Sequence, residues 1–176
     1  MTDLKIIDPY DFKPQINALW NRQYMLLAVG DFKTGHFNTM TVAWGTFGIM
    51  WNKPYAMVVV RPSRYTFEFL NRYPDFTLTA FPEKYNDDLT LLGTRSGRDG
   101  DKLAETSLHA VAAQKVQSPA FAEAELIIEC RKTYWNDLIP ENFTDASIFR
   151  KHESRNTHRL YFGEMVLISG LEKYHK

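Results

Sequence analysis

Three short stretches carry residues whose types and spacing could do chemistry. In RPSRYT (61–66), Arg61 closes an apolar run, Arg64 follows three residues later, and Thr66 falls in the first turn of an expected helix. Helix N-terminal N–H groups, a hydroxyl and two guanidiniums within six residues would make an anion site. The same residues read equally well as a capped helix start with two solvent-facing arginines. LLGTRSGRDGDK (91–102) is the second stretch, where glycines let backbone N–H groups converge and Arg95, Arg98 and Lys102 bring charge. It is not a P-loop: only three residues separate Gly93 from Gly97, and Leu103 follows Lys102 where a Ser or Thr is needed. Nor is it an EF-hand loop, since Leu103 stands after Asp99 and Asp101 where a third oxygen ligand belongs. By spacing alone it is a solvated turn. The third stretch, FNTMTVAWG (37–45), sets Asn38, Thr39 and Thr41 beside Trp44. These are ordinary strand residues, and a polar strand edge beside an aromatic also suits a planar, hydrogen-bonding heterocycle.

Other chemistries lack their residues. The histidines at 36, 109, 152, 158 and 175 form no HExxH or comparable spacing, so no catalytic zinc is expected, and no nucleophilic triad shows itself. No GxGxxG follows an expected strand, which argues against a Rossmann site. His158, just ahead of the last strand, is a candidate ligand contact, although a lone histidine is more often a surface or satisfied residue. Cys130 is the only cysteine, so an intramolecular disulfide is ruled out, and its place on an apolar face reads as buried and inert.

The elements that must position these residues are mostly strands. YMLLAVGDF (24–32), FNTMTVAWGTF (37–47), DFTLTAF (75–81), AELIIECRKTYW (124–135) and RLYFGEMVLISGL (159–171, kinked at Gly163) read as strands. YAMVVVRP (55–62) is a continuous β-branched run, expected to be a strand buried on both faces. SRYTFEFLNRY (63–73), with Ser63 as N-cap, and PEKYNDDLTLL (82–92) read as short helices, while 102–116 is ambiguous between helix and strand. In 124–135, Leu126, Ile128 and Cys130 face one way and Glu125, Glu129 and Arg131 the other. Six or seven strands without a βαβ rhythm suggest a mainly β chain folded as a closed or nearly closed barrel. The 176 residues are expected to form a single domain, 1–176, with 44% apolar content to fill its core. Twenty-one basic residues balance twenty-one acidic ones, so no strong field favours nucleic acid or an anionic membrane. The first residues, MTDLKIIDPYDFKP, show no signal peptide and no stretch is long enough to span a bilayer; a cytoplasmic location is expected. The polar segment 136–157 reads as a lid over a site or as a surface excursion.

Taken in order, N-x-M-T-V-A-W-G, the W-x-K-P turn (51–54), V-R-P-S-R-Y-T, D-F-T-L-T and G-T-R-S-G-R-D-G-D-K resemble the flavin reductase-like family, which includes flavoredoxin-type proteins. The resemblance runs from about residue 20 to residue 170 and rests on the ordered set, since each motif alone is weakly specific. It implies an FMN-binding split β-barrel with a few short helices, and a homodimer with FMN near the subunit interface. By carry-over, Asn38, Thr39, Met40, Thr41, Val42, Ala43 and Trp44 would line the ring and ribityl chain. Arg61, Arg64, Tyr65 and Thr66 would bind the phosphate, and Ser96, Gly97 and Lys102 would close over the phosphate or the ring. His158 matches a histidine before the last strand. Ala80 and Phe81 are also cofactor-binding candidates by carry-over, for a ring contact, although many relatives have Val-Asn there. The implied activity is flavin reduction by NADH or NADPH with electron transfer to a downstream acceptor, possible redox protein partners included. The alternative is a flavoredoxin-type electron carrier without efficient direct NAD(P)H turnover.

Overall fold

The computed structural model describes residues 4–145, 147–148 and 158–175. Strand β1 (Lys5–Ile7) and a short helix α1 (Ile16–Ala18) lead into β2 (Met25–Asp31), β3 (His36–Val42), β4 (Gly45–Met50) and β5 (Lys53–Val60). Helix α2 (Tyr65–Arg72), strand β6 (Asp75–Ala80) and helix α3 (Asn86–Thr94) follow. Two-residue strands β7 (Ala110–Val111) and β8 (Ala120–Phe121) precede the long strands β9 (Leu126–Asp137) and β10 (Arg159–Gly170). The sheet order is β3-β2-β6-β9-β10-β5-β4, all pairings are antiparallel, and β1 joins the far end of β10.

Connectivity forces this sheet to close. Laid flat, seven strands would hold β3 and β4 about 29 Å apart, six spacings of roughly 4.8 Å. Only Ala43 and Trp44 join those two edges, and three Cα steps reach about 11 Å at most. The sheet therefore curls into a split barrel whose seam lies between β3 and β4. The stretch read as one strand over 37–47 is thus two strands, because the chain passes from one sheet edge to the other at Ala43–Trp44. There the Trp44 carbonyl accepts the Val59 N–H at 3.1 Å and fastens the crossing to β5. At the β4–β5 hairpin the turn falls on Trp51 and Asn52, both in the left-handed region (φ 54° and 58°), as a two-residue hairpin requires.

Inside the barrel, Met25, Leu27 and Val29 of β2 pack with Val58, Val60, Phe76, Leu78 and Ile128, and α2 adds Phe69 and Leu70. Each large apolar side chain so buried contributes about 1.5–3 kcal/mol. A second cluster joins Leu26 and Ala28, on the other face of β2, to Phe81, Leu89 and Leu92 and to Leu108 and Phe121. β2 is therefore buried on both faces, as β6 is, and β5 is not. Met57 and Val59 of β5 stay half-buried, because α3 and the chain after it cover β2 and leave the outer face of β5 bare.

Several local expectations shift for similar reasons. Arg64, not Ser63, takes the N-cap position of α2, and no side-chain cap forms there. The helix expected over 82–92 begins as a short turn at Glu83–Tyr85 and runs on to Thr94 as α3. The ambiguous stretch 102–116 is one turn at Leu103–Glu105 followed by irregular chain that pairs only through Ala110 and Val111. Glu129, on the polar side of β9, is nonetheless buried. Its carboxylate accepts the N–H groups of Gln114 (2.9 Å) and Lys115 (2.6 Å). Asp75 does the same for Gln117 (3.1 Å) and Ser118 (3.0 Å), and also accepts the Ser118 hydroxyl (2.7 Å). The kink at Gly163 is a register shift between Phe162 and Gly163. A Cβ at Gly163 would lie 2.7 Å from the Phe76 ring and 2.8 Å from Cys130 Cβ, so the strand crosses the core at a distance only glycine allows. Of the segment 136–157, β9 takes residues up to Asp137 and a turn forms at Pro140–Asn142. The remainder that would decide between lid and surface excursion, 149–157, lies outside the described residues. Among the described residues, no helix is long and apolar enough to cross a membrane.

Candidate functional site

β3 is an outer strand bonded only to β2, and side chains tie it to both larger helices. Asn38 Nδ2 donates to Thr66 Oγ1 of α2 at 2.7 Å, and the Thr41 hydroxyl donates to the Leu89 carbonyl of α3. Two clefts open along this strand. The first, about 260 Å³, is lined by residues 40–44 with Val59, Arg61, Arg64 and His158. The second, about 500 Å³, is lined by residues 35–39 with Tyr65, Phe69, Gly97 and residues 100–103. The segment carrying Gly97 presses on β3 between them: a Cβ there would fall 2.1 Å from Asn38 Oδ1 and 3.1 Å from the Tyr65 ring. Only a glycine permits that approach.

The charges at this junction decide its chemistry. Arg64 donates to the Gly93 carbonyl, and Lys102 Nζ donates to the carbonyls of Leu92 (2.7 Å) and Arg95 (3.1 Å). Both cations thus close the C-terminal end of α3, where orphan carbonyls favour positive charge. Burial, then the neighbouring Arg64, lower the Lys102 pKa to about 8. Burial, then Arg61, lower that of Arg64. Among the described residues, Arg61, Arg64 and Lys102 pair with no carboxylate, whereas Arg95 and Arg98 of the same stretch pair with Glu105 and Glu68. Three mutually repelling cations beside an uncapped helix N-terminus attract an anion, because it would relieve that repulsion and satisfy the first-turn amides. In the first cleft, the half-exposed Trp44 ring stacks on the buried His158 ring at 5.0 Å and 29°.

The structure gathers most of the residues singled out by sequence. Met40, Thr41, Val42, Ala43, Trp44, Arg61, Arg64 and His158 meet at the first cleft, where Met40 and Val42 also pack into the core. Asn38, Thr39, Tyr65, Gly97 and Lys102 line the second. Thr66 sits behind them at 1% exposure, its hydroxyl accepting from Asn38 and donating to the Thr39 carbonyl (3.3 Å). Ser96 precedes Gly97, and its hydroxyl accepts the Arg98 N–H at 3.2 Å. Ala80 and Phe81 are brought to neither cleft: both are fully buried, Ala80 in the barrel core and Phe81 in the second cluster. Strand β6 lies two places in from β3, which keeps its end away from the open edge. Sequence reasoning missed Val59, His36 and Phe69 as lining residues. The alternation of β5 was the available signal for Val59, since Val58 and Val60 point inward and Val59 must point out.

Fold and cleft together define a split-barrel protein with an anion-attracting, ring-sized groove on its open edge strand. The chain belongs to the flavin reductase-like family, whose domain matches residues 21–172. Among solved structures it is similar to an FMN-binding domain of a flavin reductases-like enzyme from Shewanella baltica OS155 (TM-score 0.68, 15% identity, 96% of this chain and 77% of that one). It is also similar to flavoredoxin of Desulfovibrio vulgaris (Miyazaki F), with TM-score 0.66 and 19% identity over 92% of this chain and 75% of that one. A third is the NADH:FAD oxidoreductase of Streptomyces globisporus C-1027 (TM-score 0.64, 14% identity, 86% and 76%). No curated protein sequence matches the chain.

Proposed function

We propose that the protein is an FMN-binding oxidoreductase that reduces flavin with NADH or NADPH. The observation that carries this reading is the cluster of Arg61, Arg64 and Lys102, unpaired with carboxylates among the described residues, at the α2 N-terminus beside the Trp44–His158 cleft. The donor set fits a flavin phosphate: guanidiniums and an ammonium meet a dianion, with the amides of the first turn of α2 as further donors. Each charge-assisted bond contributes about 1.5–3 kcal/mol. Asn38, Thr39 and the backbone of 40–43 would hold the ribityl chain and the polar edge of the ring, and Trp44 with His158 would wall the ring. Bound there, the flavin supplies hydride and electron-transfer chemistry that no side chain offers. The chain's residues neutralise the phosphate, orient the ring and screen one of its faces, so no general acid–base pair is required.

A second copy of the chain is part of this reading. The outer face of β5, β9 and β10 carries Met57, Val59, Leu160 and Phe162, all half-buried, with Trp51 (57% exposed) and Tyr134 (45% exposed) against Phe162. Through Val59 this apolar face runs into the first cleft. A homodimer burying it would place the ring pocket beside the subunit contact. Sedimentation at micromolar concentration should give a dimer, and a monomer would remove this part of the proposal.

Purified protein supplied with FMN should oxidise NADH or NADPH in air, followed by nicotinamide absorbance. FMN held without turnover of either nucleotide would replace the reductase by an electron carrier. FMN not held would remove both.

A further inference from the structure

Trp20 carries a buried donor that the fold leaves unused. Its side chain is 4% exposed, and its indole N–H has no acceptor among the described residues. The ring is held firmly: it packs on Phe47 at 5.3 Å, and it lies against the backbone at Gly45, where a Cβ would overlap it. Buried N–H groups are nearly always paired, so an orphan held in a fixed ring calls for an acceptor from outside the chain. Trp20 lines a cleft of about 790 Å³ with Asn17, Asn21, Arg22, Gly45 and Thr46, a volume that suits a small organic molecule. Gly45 and Thr46 follow Trp44 in the chain, so this cleft begins on β4 where the lining of the first one ends.

The backbone beside the cleft is unusual as well. Residues Leu19–Gln23 form a π-helical turn, a rare form that recurs at functional sites. Within it Trp20 is buried, while Asn21 and Arg22 stay exposed at the cleft. Tyr24, which follows, has φ 61° and ψ 162°, a region that only glycine occupies without strain. The groups presented are mainly donors: a guanidinium, carboxamides and the indole N–H. Among the described residues, Arg22 makes no ion pair and no Asp or Glu lines the cleft.

We infer that this cleft binds a small organic carboxylate, its oxygens on the Arg22 guanidinium and the Trp20 indole N–H and its apolar body against Ile16 and Ala18. A guanidinium presents a planar fork that matches a carboxylate, and the Asn17 and Asn21 carboxamides supply further donors. One cation here suits one negative charge, whereas a phosphate dianion is better served by the three cations gathered at the α2 N-terminus. The site stands independently of the flavin reading.

Benzoate is the probe, with benzamide as its neutral counterpart, titrated into the isotope-labelled full chain and followed by the indole N–H resonances. Trp20→Phe assigns the Trp20 resonance by removing it. Benzoate should move that resonance downfield as the N–H gains an acceptor, and benzamide should bind at least about tenfold more weakly. Arg22 is exposed, so Arg22→Ala spares the core, and it should weaken benzoate about tenfold. A Trp20 resonance unmoved by benzoate, benzamide binding as tightly as benzoate, or unchanged affinity in Arg22→Ala would each overturn the inference. Benzoate that shifted the Trp44 indole instead would belong to the first cleft and overturn it equally. None of these readouts involves FMN, so their failure leaves the flavin reading untouched.

Discussion

Asp75 and Glu129 are buried carboxylates whose hydrogen bonds the chain itself supplies, and Arg61, Arg64 and Lys102 are cations with no carboxylate partner among the described residues. The first pair holds residues 114–118 against β6 and β9, so its charge is spent on structure. The second group meets helix-end carbonyls and one another, so its charge is available to a ligand. A buried charge with complete partners builds the fold; a gathered charge with incomplete partners builds a site.

The largest effect expected from breaking this contrast is on the structural side. Asp75→Ala strips the acceptor from two backbone N–H groups and a hydroxyl, and should cost about 3 kcal/mol in urea unfolding without changing FMN affinity at full folding. A loss of affinity as large as the loss of stability would dissolve the distinction. Next comes Arg61→Ala on the ligand side. FMN affinity should fall about 10- to 100-fold, while the unfolding free energy stays within about 0.5 kcal/mol. Unchanged affinity would put the phosphate elsewhere.

The smallest effect sharpens the comparison through pH. With its pKa lowered from 10.5 to about 8 by burial and Arg64, the Lys102 ammonium is charged at neutral pH and loses its proton as pH rises through 8. FMN affinity should therefore be full below that point and fall a few-fold above it, and Lys102→Met should flatten the step. Stability runs the other way. Between about 8 and 10.5 the unfolded chain holds more protons than the folded one, so this group's contribution to stability rises with pH in that window. Affinity titrations across pH 6–10 read the first effect and urea midpoints the second.

Much of the architecture was legible because strands announce themselves by period. Ile128 and Cys130 pointed inward as their alternation required, Gly163 marked a real bulge, and the turn before Lys53 fell on the expected motif. Period reports which residues share a face, not what covers that face. That is why the apolar run of β5 suggests a doubly buried strand, whereas β2 and β6 are the ones buried on both faces. The stretch 91–102 was opaque by itself for a related reason. Arg95 and Arg98 pair with carboxylates, Lys102 pairs with none among the described residues, and no spacing rule distinguishes the three.

By itself the sequence determined most of the long strands, their polarity and two cation-bearing motifs, since these depend on neighbours within a few positions. The ordered motifs also pointed to the family. Only the tertiary structure decided that the sheet closes at Ala43–Trp44, that Gly97 reaches Asn38, and that Lys102 caps α3 beside Arg64. It also decided that Ala80 and Phe81 belong to the interior. Each of these is a contact between distant parts of the chain, set by barrel closure and by which element lies over which, and neither is written in local spacing.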